Sequence, residues 1–176
     1  MLLVCGSLRS KSTNAAALRT AQRVAPVGVV ATVYEGLATL PHFNPDDDVE
    51  PLPPAVAELR EAIRDADALC FSTPEYAGAL PGSFKNLLDW TIGDDHVGSI
   101  YEKPVAWINT SPRGAVEAHK SLRIVLAYAH ARVVDSACAA IPVLTTDIGD
   151  DGLITDPTLR EEIANVLTRL ADEVAD

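Results

Sequence analysis

Three short apolar runs, residues 2–5, 68–72 and 105–109, contain no charge and each gives way to a loop of small and polar residues. Unbroken runs of this kind suit parallel strands buried on both faces, whereas a half-exposed strand would alternate apolar and polar. Between them lie stretches with helical spacing. Ala17, Leu18, Ala21, Val24 and Ala25 follow the first run, with Ser12 or Thr13 available as N-cap. Val56, Leu59, Ile63 and Ala66 mark a second helix, residues 84–90 after Pro81 and Gly82 a third, and Leu122, Val125, Leu126 and Ala129 a fourth. Leu159, Ile163, Val166, Leu167 and Leu170 mark the last, with Pro157 at its first position and Asp156 as cap. The β-branched segment 27–34 predicts a second strand, residues 132–134 begin a fifth, and residues 41–54 are a connection rich in proline and aspartate.

Five strands alternating with five helices predict right-handed crossovers and a parallel sheet covered on both faces. The expected architecture is a flavodoxin-like three-layer α/β fold with strand order 2-1-3-4-5, in one domain spanning residues 1–176. At 176 residues such a domain needs no staples, and Cys5, Cys70 and Cys138 are too few and too scattered for a disulfide framework or metal cluster. A reducing cytoplasm fits, since the first apolar stretch is too short for a signal peptide and no run is long enough to span a bilayer. The net charge of −11 opposes binding to nucleic acid or an anionic membrane surface. An anionic ligand therefore needs local cations.

In an open parallel sheet, ligands bind outside the carboxyl ends of the strands, where strand order reverses. For this order the point lies between strands one and three, and the loops to read are residues 6–14, 73–82 and 110–114. The first, Gly-Ser-Leu-Arg-Ser-Lys-Ser-Thr-Asn, sets hydroxyls, an amide and two cations at a helix N-terminus. Free N–H groups and the helix dipole favour a phosphate there, with Ser7, Ser12, Thr13 and Asn14 as donors and Arg9 as counter-charge. An ordinary serine-capped turn is the plain alternative. Gly is missing before Lys11-Ser12, so this is not a Walker loop, and the dinucleotide GxGxxG is absent. The second loop is rigid at Pro74 and Pro81 and permissive at Gly78 and Gly82; its backbone edges and Tyr76 suit a planar ligand, although Tyr76 alone reads equally as packing. His42, His96, His119 and His130 show neither metal-ligand spacing nor a partnered nucleophile, and each reads as a surface residue without a role.

The segment at 6–14 and the longer Pro-Glu-Tyr-Ala-Gly-Ala-Leu-Pro-Gly-Ser-Phe-Lys-Asn-Leu-Leu-Asp-Trp at 74–90 resemble the NADPH-dependent FMN reductase family, as does the closing turn at 150–156. That resemblance implies bound FMN, reduction by NADPH or NADH, and electron transfer to flavin, quinone or similar small acceptors. By matching position it implies that Ser7, Arg9, Ser12, Thr13 and Asn14 hold the FMN phosphate, that Pro74, Glu75, Tyr76, Ala77 and Gly78 line the flavin ring, and that Ser111 and Gly114 close the third side. Ala77 stands where the family usually has Asn, and residues 111–115 are poorer in glycine than the usual third loop. A homodimer or homotetramer is expected, with Trp90 and Leu87 as candidate contacts, although Trp90 reads equally as core, and Arg113 reads either as a contact to a dinucleotide phosphate or as a solvated loop arginine. Hydride transfer between the two cofactors needs no protein acid, base or nucleophile. A non-enzymatic flavin carrier or sensor of the same fold is the rival reading.

Overall fold

The computed structural model describes residues 1–94 and 96–175. Four strands form where the sequence places them or within a residue or two: β1 (Leu2–Cys5), β3 (Leu69–Ser72), β4 (Pro104–Asn109) and β5 (Arg132–Val133), with β2 (Thr32–Tyr34) beside β1. The order is β2-β1-β3-β4-β5 and every pairing is parallel. Helices α1 (Thr13–Arg23), α2 (Pro54–Arg64), α3 (Gly82–Ile92), α4 (Val116–Tyr128) and α5 (Pro157–Ala175) make the crossovers and the C-terminal cover.

The two-residue strand period sorts the core into two halves. Leu2, Val4, Leu69, Phe71, Val105 and Trp107 face α2, α3 and α4, whose Leu59, Phe84, Leu88 and Leu122 meet them. Leu3, Cys70, Ala106 and Ile108 point the other way, onto Ala17, Leu18 and Ala21 of α1 and Ile163 and Leu167 of α5. Alanines on α1 let it lie close to the sheet. The start of α5 follows its local code, since the Asp156 carboxylate accepts from Thr158 N and Leu159 N at 2.8 and 3.1 Å just ahead of Pro157.

Three sequence expectations change. The second strand covers only residues 32–34 of the expected 27–34: Val29 N closes a turn onto Pro26 O at 3.0 Å, Gly28 takes φ 90°, and Val27 and Val30 are exposed. β-branching without a pairing partner does not make a strand. The fifth strand is interrupted after Val133 by a 3₁₀ turn at Asp135–Ala137 that buries Ala137 and is held by Arg169 donating to Ser136 O; a sixth strand, β6 (Ala139–Ala140), then pairs with the end of β4. Leu87 and Trp90 are candidate contacts between subunits in the sequence, with core the equal alternative for Trp90, and both are fully buried within the chain, which decides for core. Trp90 Nε1 donates to Pro41 O at 2.9 Å and its ring meets Phe43 edge-on, so it pins the proline-rich connection to α3.

β1 hands over to its loop at Gly6, whose N–H donates to Ser72 O at 2.8 Å. A Cβ there would come within 2.7 Å of Thr73 Cβ and 2.9 Å of Phe84 Cγ, both on buried residues with no room to retreat. Gly6→Ala is therefore expected to destabilise the fold by about 1–3 kcal/mol through overpacking. Urea unfolding checks this, and an unchanged midpoint would contradict it.

Candidate functional site

The loops after β1, β3 and β4 meet at the carboxyl edge of the sheet and enclose a cavity of about 410 Å³. Arg9, Thr13, Asn14, Pro74, Glu75 and Ser111 of the expected residues line it, joined by Thr110 and Arg113. Ser7, Ser12, Tyr76, Ala77, Gly78 and Gly114 stand outside that lining. A larger cavity of about 610 Å³ sits at the opposite edge, against Met1, Val30, Ala66 and Val174. The switch-point cavity is the functional candidate, because hydroxyls, a guanidinium and a helix N-terminus converge there at the carboxyl ends of β1, β3 and β4, unlike in the larger cavity.

In the first loop Ser12 is the N-cap of α1: its Oγ accepts from Ala15 N at 3.3 Å and the residue is buried. Asn14 is buried too, its amide 2.9 Å from Ser72 Oγ, which also reaches Ile108 O at 2.7 Å. These two side chains thus brace the loop against β3 and β4. Thr13 Oγ1 meets Thr110 Oγ1 at 3.0 Å, tying the first loop to the third. Ser7 Oγ accepts from Arg9 N at 3.3 Å, and the Arg9 side chain is exposed. Among the described residues no protein acceptor takes the backbone N–H groups of residues 10–14, which leaves a row of donors at the positive end of α1.

The second loop turns back on itself. Tyr76 and Ala79 exchange backbone hydrogen bonds of 3.0 and 3.1 Å across Ala77 and Gly78, whose φ values are 51° and 74°. This is a two-residue hairpin turn of the primed kind. A Cβ at Gly78 or Gly82 would meet nothing within 4 Å, so the loop faces open space. Glu75 has a role the sequence did not show: its Oε2 accepts from Ala118 N at 3.0 Å, capping α4 from the neighbouring loop.

The third loop is organised by Asn109, whose Oδ1 accepts from Ser111 N at 3.0 Å while Nδ2 donates to Gly114 O at 2.6 Å. Sequence reasoning treated Asn109 only as a strand end, and Thr110 only as the start of a loop. His119 is also corrected, since it is not a simple surface residue. Its Nδ1 lies 2.9 Å from Ala115 O, its Nε2 is buried without a partner among the described residues, and its ring tilts against Trp107. Burial holds its pKa below the ordinary 6.5, opposed by the Ala115 carbonyl and the Glu75 charge. The neutral form with a proton on Nδ1 fits, and protonation in acid would load the orphaned Nε2 and weaken the fold as pH falls below 6.5. Burial pushes the Cys70 thiol up to about 12 and Cys138 to about 11, so neither is a ready nucleophile. Among the described residues no group of acidic, histidine and cysteine side chains could hold a metal ion.

Residues 1–145 match the sequence profile of the NADPH-dependent FMN reductases. The chain belongs to that family. It is 33% identical to the NAD(P)H-dependent FMN reductase of Pseudomonas aeruginosa over 97% of this chain and 92% of that protein. Identity to a quinone reductase of Pseudomonas putida is 32% over 89% and 84% of the two chains. Among solved structures, FerB, a flavoenzyme NAD(P)H:acceptor oxidoreductase from Paracoccus denitrificans, superposes with a TM-score of 0.78 at 27% identity, covering 99% of this chain and 96% of that one. The flavodoxin-like architecture expected from the order of elements is therefore that of the family.

Ala77 is held in the left-handed region, which suits Asn better than Ala, and Asn-Gly is the preferred pair for such a turn. Ala77→Asn should raise stability by about 0.5–1 kcal/mol through relief of that strain. Thermal and urea melts check it; a variant less stable than the parent would show that the turn is not strained.

Proposed function

We propose that the protein is an FMN-dependent NAD(P)H oxidoreductase working as a single domain, which takes electrons from NADPH or NADH and passes them to a small acceptor such as free flavin or a quinone. The observation that carries the reading is the convergence of the loops after β1, β3 and β4 on one cavity with unpartnered donors at its α1 end. The donor set fits FMN. The backbone N–H groups of Thr13 and Asn14, the Thr13 hydroxyl and the Arg9 guanidinium, all at this cavity, suit a phosphate dianion, while the open space over Gly78 and Gly82 leaves room for a flat ring. The relatives named as FMN and quinone reductases support the same chemistry.

Bound FMN supplies the redox chemistry itself, so the chain's task is binding, orientation and electrostatics. Arg9 and the first turn of α1 anchor the phosphate; Ser12 and Asn14 hold that turn in place from behind. Pro74 and the 76–79 hairpin fix the edge against which the ring lies, and Glu75 locks that loop to α4. Ser111 and Gly114 bound the third side through the fold that Asn109 imposes. Tyr76, about half exposed, stands where it can shape the face a nicotinamide must approach. No histidine or cysteine is required, in keeping with the buried, raised thiols and the neutral His119.

The three free cysteines support a reducing cytoplasm, and no described helix is long and apolar enough to cross a membrane. A homo-oligomer belongs to the same reading, and with Trp90 and Leu87 inside, the contact moves to the apolar face between α3 and α4. There Ile92, Ile124 and Tyr128 are exposed around a shallow hollow of about 370 Å³ floored by Phe43 and Val125. Light scattering of the FMN-loaded protein at micromolar concentration should give a dimer or tetramer, and a monomer would count against it.

The deciding experiment mixes purified protein, FMN and either nicotinamide cofactor without oxygen. The flavin band should bleach and should return on adding a quinone; a protein that binds FMN without bleaching is a carrier or sensor. In the same assay Tyr76→Ala should slow bleaching by about 10-fold or more while FMN affinity changes by only about 3-fold, because a misplacement of about 1 Å at the reacting atoms costs on the order of 100-fold in rate. An unchanged reduction rate would make Tyr76 mere packing.

A further inference from the structure

A second cavity, of about 590 Å³, lies beside the flavin cavity, between residues 9–19 and the turn at residues 145–152. Its lining inverts the sign of the molecule. The chain carries 25 acidic and 14 basic residues, yet three cations, Arg9, Lys11 and Arg19, face this one hollow against a single carboxylate, Asp150. None of the three cations is in an ion pair among the described residues. Like charges gathered in this way repel one another unless an anion joins them.

The walls are built, not incidental. Ser12, Ala16 and Arg19 line the cavity at helical spacing along one face of α1, and small Ala16 keeps that wall low. The opposite wall is pinned to α1 by Ile154 N, which donates to Thr20 Oγ1 at 2.9 Å, and is closed on itself by Gly149 N donating to Leu153 O at 2.9 Å. A Cβ at Gly152 would lie 3.8 Å from Arg19 Nη1, so the guanidinium reaches across to the turn. Arg9 lines both cavities, which places the two side by side.

We propose that this cavity is a second phosphate site, separate from that of the FMN phosphate, which takes the 2′-phosphomonoester of NADPH and so distinguishes it from NADH. The inference rests on the reductase reading above. NADPH and NADH differ only in that dianionic group, and Arg9, which lines both cavities, is the residue by which the second adjoins the first. Guanidinium and ammonium groups without protein partners are the side chains that recognise such a phosphate. Asp150 opposes the anion, so the site's strength is the excess of three positive charges over one negative.

The test uses the FMN-loaded protein and isothermal titration with adenosine 2′,5′-bisphosphate, adenosine 5′-monophosphate and inorganic phosphate. The bisphosphate should bind more tightly than either of the others. Arg19→Ala should weaken it about 5- to 20-fold, the range for a partly exposed charge-assisted hydrogen bond, and leave the monophosphate unmoved. Asp150→Asn should strengthen it. In steady-state assays KM for NADPH should rise with Arg19→Ala by a similar factor while KM for NADH holds. Equal binding of bisphosphate and inorganic phosphate, an equal change for NADPH and NADH, or a loss of FMN affinity in Arg19→Ala would each overturn the proposal. Should neither dinucleotide bleach the flavin, the reductase reading fails, whereas Arg19-dependent binding of the bisphosphate would still support the phosphate site.

Discussion

The site exists because β1 lies inside the sheet, with β2 on one side and β3 on the other. A right-handed crossover from β1 outward to β2 puts α1 on one face, and the crossover back across β1 to β3 puts α2 on the opposite face. The core records this division, with α1 packed in one half and α2, α3 and α4 in the other. Consequently the chain leaving β1 bends toward one face and the chain leaving β3 toward the other. Backbone that diverges cannot fill the space between, and a crevice opens at the carboxyl edge. The cavity at the carboxyl edge depends on that divergence.

A crevice alone would be a loose one. Here three loops from distant parts of the sequence are cross-braced by side chains: Thr13 to Thr110, Asn14 to Ser72, and Glu75 to the first turn of α4. Asn109 folds the third loop from beneath. Several polar groups that the sequence suggests for ligand binding thus serve first to hold the cavity open and in shape. Such preorganisation lowers the ordering cost that a ligand must otherwise meet. It also separates two kinds of residue within one motif. Ser12 and Asn14 are buried braces, while Arg9 and Lys11 are exposed and available.

What the sequence revealed follows the same division between local and long-range causes. β1, β3 and β4 were legible as unbroken apolar runs, and the start of α5 as Asp156-Pro157, because both signals are written in neighbouring residues. The loops of the site were legible from topology once the strands were placed. The start of β2 was not, because Val27 and Val30 carry strand-like side chains but the chain turns at Gly28 before it reaches β1. β6 was missed because its two residues become a strand only by meeting the end of β4. Trp90, His119 and Glu75 were misjudged or incompletely read for the same reason. Their partners Pro41, Trp107 and Ala118 include residues far away in sequence, and a single sequence does not say which distant residues touch.

The central claim is that FMN belongs at the carboxyl edge of the sheet and not in the larger cavity at the amino edge. Backbone amide NMR of the isotopically labelled protein during FMN titration measures this directly. The account predicts that the largest shifts fall on residues 7–14, 74–79 and 110–116, with those near Met1, Val30 and Ala66 unmoved. Shifts concentrated instead at Met1, Val30, Ala66 and Val174 would contradict it.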